Sequence, residues 1–348
     1  RQAHEADPSH QPTLRRLAAA YQAQGRRRLA AHFLERLLTL VPQDREAGES
    51  LVALYDDLGQ PEKAREWRQR LGLPPATQAP ATRGPTDGLR PLAIAWQAHL
   101  EEQAISGLAT SDDFIFVTTQ GGTLFALAKA DGRIRWRTQA AKPIVSQPVY
   151  SPGPEGGLVL FGSDDHALYA VSALDGQEKW RFRTRGPVHG APAVGGDLVY
   201  VGSTDGSLYA LQRTGGDLVW QFGTQAAIHA APLVAGDAVL VGSLDQGVYA
   251  LNARTGAYRW RFAAVAAVES TPVVVGDRLY VGANDSRLYC LHPTSGRELW
   301  RYSTGDAIYS PPVVADKRVY VSSAGQALFA LAAETGELAW RFATDTYV

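Results

Sequence analysis

A tryptophan returns at nearly fixed intervals through most of this chain. The series is Trp96, Trp136, Trp180, Trp220, Trp260, Trp300 and Trp340, in steps of 40, 44, 40, 40, 40 and 40 residues. A period of that length has to be read before any local signal, because a unit that cannot bury its own apolar face dictates the architecture of the whole. The one long step contains Ser151-Pro152-Gly153-Pro154-Glu155-Gly156-Gly157, a loop sequence that absorbs the four extra residues.

Other residues keep the same register. Four positions before each Trp from Trp136 onward stands a glycine: Gly132, Gly176, Gly216, Gly256, Gly296 and Gly336. Preceded by Asp, Thr, Gly or Ser, these read as tight turns needing positive φ. Eleven positions before each of the same Trp residues stands an aromatic (Phe125, Tyr169, Tyr209, Tyr249, Tyr289, Phe329), followed by a small residue, Ala or Cys290. Upstream lie β-rich runs such as Leu198-Val199-Tyr200-Val201-Gly202, and before several of them a proline (Pro192, Pro232, Pro272, Pro312) introduces an apolar run. Four short strands per unit, with turns between them, predict the blade of a β-propeller. One blade cannot cover both of its faces, so neighbours must stack, and the Trp and Tyr/Phe supply the large contacts between them. Burying one such side chain is worth roughly 1.5–3 kcal/mol. The tryptophans therefore read as core between blades.

The string Leu208-Tyr209-Ala210-Leu211, with Thr-Gly and then Trp following at fixed distances in the units at Thr255-Gly256 and Thr335-Gly336, resembles the quinoprotein-type (PQQ-like) repeat. Leu168-Tyr169-Ala170-Val171, Val248-Tyr249-Ala250-Leu251 and Leu288-Tyr289-Cys290-Leu291 each depart at one position. The resemblance covers about residues 92 to 348 and implies a propeller. It also implies a choice of roles: quinone-dependent alcohol dehydrogenase, the non-catalytic propeller lipoprotein of outer-membrane β-barrel assembly, or a sensor domain attached to a bacterial kinase. It points to the extracytoplasmic side of the bacterial cell envelope. Fold alone does not choose among the roles. The dehydrogenases hold their quinone under an adjacent Cys-Cys disulfide, and this chain has one cysteine, so no cofactor and no catalytic residue are expected.

Ahead of the propeller a second repeat runs at 34 residues, pairing Pro8 with Pro42, Leu17 with Leu51, Tyr21 with Tyr55, Gly25 with Gly59 and Ala30 with Ala64. This resembles the tetratricopeptide repeat, two antiparallel helices per unit. Residues 1–72 are thus expected as a small all-α helical-repeat module, 73–91 as a Pro/Ala/Thr-rich tether, and 92–348 as the all-β propeller. Trp96 matches the last strand of a blade whose first three strands do not precede it. Either six complete blades carry one additional N-terminal strand, or that strand completes a seventh blade.

Composition narrows the partners. A formal net charge of -1 over 348 residues argues against a nucleic-acid binder, which needs a surplus of cations. No run reaches the ~18 apolar residues of a membrane span. The chain opens Arg1-Gln2-Ala3-His4 without Met, as an excised or processed segment would, so its targeting is not legible.

Candidate sites emerge from departures within the repeat. Three positions before the blade prolines, or at the equivalent place, stand Ile105, Val145, His189, His229, Glu269 and Tyr309, each from Val145 onward next to an aliphatic such as Val188 or Ile228. Variable polar residues on a fixed frame suit a binding ring, and His189, His229, Glu269 and Tyr309 are the candidate ligand-binding set at the channel mouth. A water-filled channel lined by whatever polar residues fit is the simpler account of them, and no metal is assigned. Asp165, Asp205, Asp245 and Asp285 recur in every one of four units and read as turn caps. On the helical module Glu46, Glu49, Asp56 and Asp57 mark a candidate peptide groove, or simply a solvated helix face. The function expected is a non-catalytic protein-interaction or scaffold role, binding an unidentified protein or peptide through the propeller rim and the helical groove. The alternative is sensing of a small ligand at the channel mouth.

Overall fold

A computed structural model describes residues 11–23, 27–57, 61–73, 94–104 and 107–344. The chain divides into two compact units, Arg1–Leu92 and Ala93–Val348. The tether predicted at 73–91 lies outside the described residues apart from Leu73, as do Pro8, Gly25, Gly59 and Ile105.

The first unit contains α1 (Gln11–Ala23), α2 (Arg27–Leu40), α3 (Arg45–Asp57) and α4 (Pro61–Arg70). Each helix packs on the next in sequence. Leu14 and Ala18 on α1, Leu34, Leu37 and Leu38 on α2, and Leu51, Leu54 and Tyr55 on α3 recur at three- and four-residue spacing and form one buried stripe per helix. Asp44 caps α3, its Oδ1 accepting from the backbone N–H of Ala47 at 3.1 Å, which satisfies one of the free donors of the first turn.

The second unit holds six four-stranded antiparallel sheets, each made of four strands consecutive in sequence. These blades span residues 109–139, 149–183, 193–223, 233–263, 273–303 and 313–343. Blade three shows the pattern: Ala193–Gly195, Leu198–Gly202, Ser207–Gln212 and Leu218–Gly223, paired in that order. Its fourth strand registers Trp220 opposite Ala210, with a bulge immediately after. The same pairing joins Ala126 to Trp136, Ala170 to Trp180, Ala250 to Trp260, Cys290 to Trp300 and Ala330 to Trp340. The small residue is thus required because an indole lies across the ladder from it.

Each indole from Trp136 to Trp300 then reaches the following blade. Trp180 donates from Nε1 to the carbonyl of Arg213 at 2.9 Å, and Trp220 to that of Ala253 at 2.9 Å. The turn glycine of the following blade lies flat against the ring. Gly216 has φ of 75°, and a β-carbon there would stand 2.6 Å from Cε3 of Trp180. Only glycine meets both the backbone conformation and the clearance. Five apolar clusters formed this way join each blade to the next.

A polar clasp runs beside the indoles. The hydroxyls of Tyr209, Tyr249 and Tyr289 donate to Oδ2 of Asp205, Asp245 and Asp285 at 2.7, 2.7 and 2.5 Å, and Tyr169 bonds Asp165 likewise. The same Oδ2 atoms accept backbone N–H groups of the preceding blade, those of Arg185, Gln225 and Val265 and, for Asp165, that of Ala141. Burial pushes the Tyr209 phenol up to about 12, aided by Asp205. Burial alone would raise Asp205 too, yet hydrogen bonds from Tyr209 and from the amides of Arg185 and Ser207 hold its carboxyl below the usual range.

Two sequence expectations shift. Trp180, Trp220 and Trp260 are buried, but Trp340 is 38% exposed, because among the described residues no blade follows it. Trp96 occupies the place of a fourth strand without forming one. Its ring packs on Gly132 and its Nε1 donates to the Lys129 carbonyl at 2.8 Å, yet residues 94–103 join no ladder, and only an isolated bridge pairs Ala104 with Thr119. A single segment with no third strand beside it has no ladder to make.

Removing the Trp220 ring by Trp220→Ala is expected to cost ~3–5 kcal/mol, and Trp340→Ala less than about 1 kcal/mol. Chemical denaturation of the full chain checks the ordering. Asp205→Asn is expected to cost about 1–3 kcal/mol at neutral pH. Because the folded pKa of Asp205 is depressed, its contribution exists above the unfolded value of about 3.9 and disappears as pH falls through the folded value. The gap between wild type and Asp205→Asn should therefore close below that window in an acid titration of stability.

Candidate functional site

Strands that alternate in direction place the turns between second and third strands at the same end of the blade as the connections from each fourth strand to the next first strand. The turns between first and second strands, and between third and fourth, fall at the opposite end. The connections carrying His189, His229, Glu269 and Tyr309 therefore share one end with the turns that come after the second strands. Each connection is pinned one residue earlier. Val188, Ile228, Val268 and Ile308 are fully buried, and their backbone N–H groups donate to the carbonyls of Ser163, Ser203, Ser243 and Ala283. A glycine closes each second strand against them: a β-carbon at Gly282 would lie 2.1 Å from the Ile308 side chain. The aliphatic residue is fixed by packing, and its neighbour is left free to vary.

Three of the four predicted residues come together. The rings of His189 and His229 lie 5.1 Å apart between centroids, and Nδ1 of His229 stands 3.5 Å from Oε2 of Glu269. Asp164 and Asn284 extend the row at its two ends. Oδ1 of Asp164 lies 3.0 Å from Nε2 of His189, and Nδ2 of Asn284 donates to Oε1 of Glu269 at 2.7 Å. The result is a continuous polar row, Asp164, His189, His229, Glu269, Asn284, contributed by successive blades. Tyr309 stays apart, 54% exposed. Asp164 and Asn284 escaped the sequence reading, although a signal existed. They occupy the position before the recurring Asp, which reads Asp164, Thr204, Leu244 and Asn284 and varies on a fixed frame just as the His positions do.

The row offers hydrogen-bond donors and acceptors, with a carboxylate on either side of a pair of imidazoles, to whatever meets this end of the propeller. All five side chains remain partly open to solvent. Oδ1 of Asn284 is buried and accepts no hydrogen bond among the described residues. No group of three or more His, Cys, Asp or Glu among those residues could hold a metal ion. Cys290 is fully buried behind Trp300, and burial pushes its thiol up to about 12. It fills the small-residue position and makes no nucleophile.

On the helical unit the acidic residues are already partnered. Glu46 pairs with Arg15 at 3.0 Å, Glu49 with Arg45 at 3.0 Å and Asp56 with Arg68 at 2.5 Å. The Asp57 side chain lies outside the described ones. Exposed pairs of this kind contribute ~0–1 kcal/mol each, and here they leave little net negative field. A groove of about 430 Å³ runs between α1 and α3, lined by Arg15, Ala18, Gln22, Glu46 and Ser50. Glu46 is the predicted acidic residue that borders it.

Compared with families of known proteins, the chain matches the model of the outer membrane protein assembly factor BamB over residues 93–221, 184–270 and 245–347. The chain belongs to this family. Within the BamB family, the assembly factor of Yersinia pestis is 31% identical over 91 residues, which cover 26% of this chain and 23% of that protein. The serine/threonine-protein kinase AfsK of Streptomyces griseus is 30% identical over 76 residues, 21% of this chain and 9% of the kinase. The aligned stretches thus span less than a quarter of either relative. Among solved structures, BamB from Moraxella catarrhalis superposes with a TM-score of 0.63 at 22% identity, over 72% of this chain and 78% of that one. The WD40 propeller domain of Doa1 gives 0.57 at 17% identity, over 72% and 85%. At these identities the structural likeness speaks for the propeller fold. No described helix is long and apolar enough to cross a membrane.

Thiol reagents at pH 8 are expected to leave Cys290 unlabelled in the folded protein, since a buried thiol with a pKa near 12 stays protonated. Labelling kinetics should follow unfolding, and fast labelling of the native chain would contradict this burial.

Proposed function

We propose that this chain is a non-catalytic interaction protein of the BamB family. Its propeller serves as a rigid platform on which a protein partner of outer-membrane assembly docks at the end bearing the Asp164–Asn284 row. The observation that carries this reading is the row itself: the side chains that break the repeat gather at one end, on connections that the repeat holds still. Binding favours such a surface, because preorganised groups lose little entropy on association. Two imidazoles flanked by carboxylates suit a partner that presents both amine or guanidinium donors and carbonyl acceptors. The membership of an assembly-factor family supports a protein as that partner. The groove between α1 and α3 is a second, smaller surface on which a peptide would meet Arg15 and Glu46.

A second reading has one observation in its favour. The acceptor at Asn284 Oδ1, beside Glu269 and without a hydrogen bond among the described residues, suits a small ligand with several donors. Thermal-shift measurements separate the readings: a small-molecule response lost in His229→Ala favours sensing.

The docking reading is tested by replacing His229, or Arg254 at the opposite end, with a photo-crosslinking amino acid in the full chain in its native host. A discrete crosslinked protein is expected from position 229 and not from 254, and Glu269→Lys should reduce it at least tenfold. Equal crosslinking from both ends, or none at 229, would sink this assignment of the docking face.

A further inference from the structure

We infer that the cleft between blades three and four, at the end of the propeller opposite the polar row, binds a short zwitterionic peptide, its amino end on Asp197 and its carboxyl end on Arg254.

One position of the repeat opens this cleft. The residue before each tryptophan reads Arg135, Lys179, Val219, Arg259, Leu299 and Ala339. In blade four Arg259 folds back on the turn between the first and second strands, and its two Nη groups donate to the Asp237 carboxylate at 2.9 and 2.5 Å. Blade three carries the same Asp forty positions earlier, Asp197, but has Val219 where the guanidinium would come from. Blade five has Leu299 at that place, and there Arg278 serves Asp277 at 2.5 Å. Asp197 is the one of these three carboxylates that enters no ion pair among the described residues.

A second departure faces it. Two positions before the turn glycines stand Ala130, Leu174, Thr214, Arg254, Thr294 and Glu334, so a cation occurs there in a single unit, blade four. Arg254 is exposed, and its guanidinium likewise enters no ion pair among the described residues. Asp197 and Arg254 stand on turns of adjacent blades and border one cleft of about 780 Å³. The equivalent space between blades four and five, walled by Arg259, measures about 400 Å³. Between blades two and three, where Lys179 and the four-residue insertion intrude, it is about 220 Å³. The larger volume lies within the about 300–1,000 Å³ of small-molecule sites.

Leu198, Tyr200, Val219 and Val234 supply apolar wall to this cleft. A ligand charged with one sign only would satisfy one of the two unpaired groups and be repelled by the other. An internal segment of a folded protein brings neither a free amino nor a free carboxyl end. A di- or tripeptide with free ends and an apolar side chain brings both charges and a group for the apolar wall. Because both protein charges are exposed, each contact adds little, and the affinity should be modest.

The test is isothermal titration of the full chain with alanyl-X dipeptides, X running over the apolar and aromatic residues. At least one is expected to bind saturably, with Kd at or below about 1 mM. Acetylating its amino end or amidating its carboxyl end should weaken binding roughly three- to tenfold. On Asp197→Asn the free and acetylated forms should bind alike, and on Arg254→Gln the free and amidated forms. Val219→Arg supplies a guanidinium that blade four already accommodates, so it should abolish binding while moving the melting temperature by less than about 2 °C. His229→Ala should leave binding unchanged, which keeps the result separate from that of the docking face at the other end. The inference fails if no dipeptide saturates, if blocking either end makes no difference, or if Val219→Arg binds as the wild type does. It fails as well if His229→Ala removes binding, since the ligand would then sit on the row.

Discussion

An indole resting on the glycine turn of its neighbour is the contact on which the propeller depends. It combines three requirements in one place: a ring large enough to span the gap between sheets, a turn with no β-carbon to keep it away, and a carbonyl that takes the indole N–H. The apolar part supplies most of the free energy, and the hydrogen bond fixes where the ring sits. A Phe would bury comparable area but leave that carbonyl without its partner. The small residue opposite each Trp completes the set, since a branched side chain at Ala210 or Ala250 would lift the ring from the ladder. Every unit repeats these demands, which is why the period is legible from Trp and Gly alone.

Frame and function are separated by a single residue. Val188, Ile228, Val268 and Ile308 are spent on packing, and the side chains immediately after them are not. Because the aliphatic anchors are locked by a glycine on one side and a backbone hydrogen bond on the other, the positions beside them can change identity without disturbing the blade. The row from Asp164 to Asn284 is the consequence. A polar network of this type in a loop would require its own scaffolding, whereas here each member inherits a fixed position from the repeat.

What could be read from sequence obeyed the same division. The blade, the turn glycines and the role of Asp205 and its equivalents were legible because each recurs, and recurrence converts a weak local signal into a strong one. His189, His229 and Glu269 were legible as exceptions at a recurring position. Their partners Asp164 and Asn284 were not, because they sit beside a conspicuous Asp that drew the reading to itself. The acidic residues of α3 carry a different lesson. Glu46 is neutralised by Arg15, 31 positions away, and no helical periodicity within α3 announces a charge on α1. Likewise the exposure of Trp340 depends on whether another sheet covers it in space, which its own unit does not encode.

The one irregular unit shows how much the frame tolerates. The four extra residues enter blade two between its first and second strands, where Gly156 and Gly157 take φ of 82° and 81° to turn the chain back. The bulge is held from outside its own blade, by Arg213 of blade three. The Arg213 guanidinium donates from Nη1 to the Pro152 carbonyl at 2.9 Å and to Ser151 Oγ at 3.3 Å, while its backbone carbonyl receives the Trp180 indole. Blades four, five and six place Ala253, Pro293 and Ala333 at the same acceptor position, residues with no reach beyond their own turn. The side chain at this position is therefore free in the generic unit because only its carbonyl is used. Blade three spends that freedom on fastening its neighbour's insertion without altering the contact that holds the two sheets together.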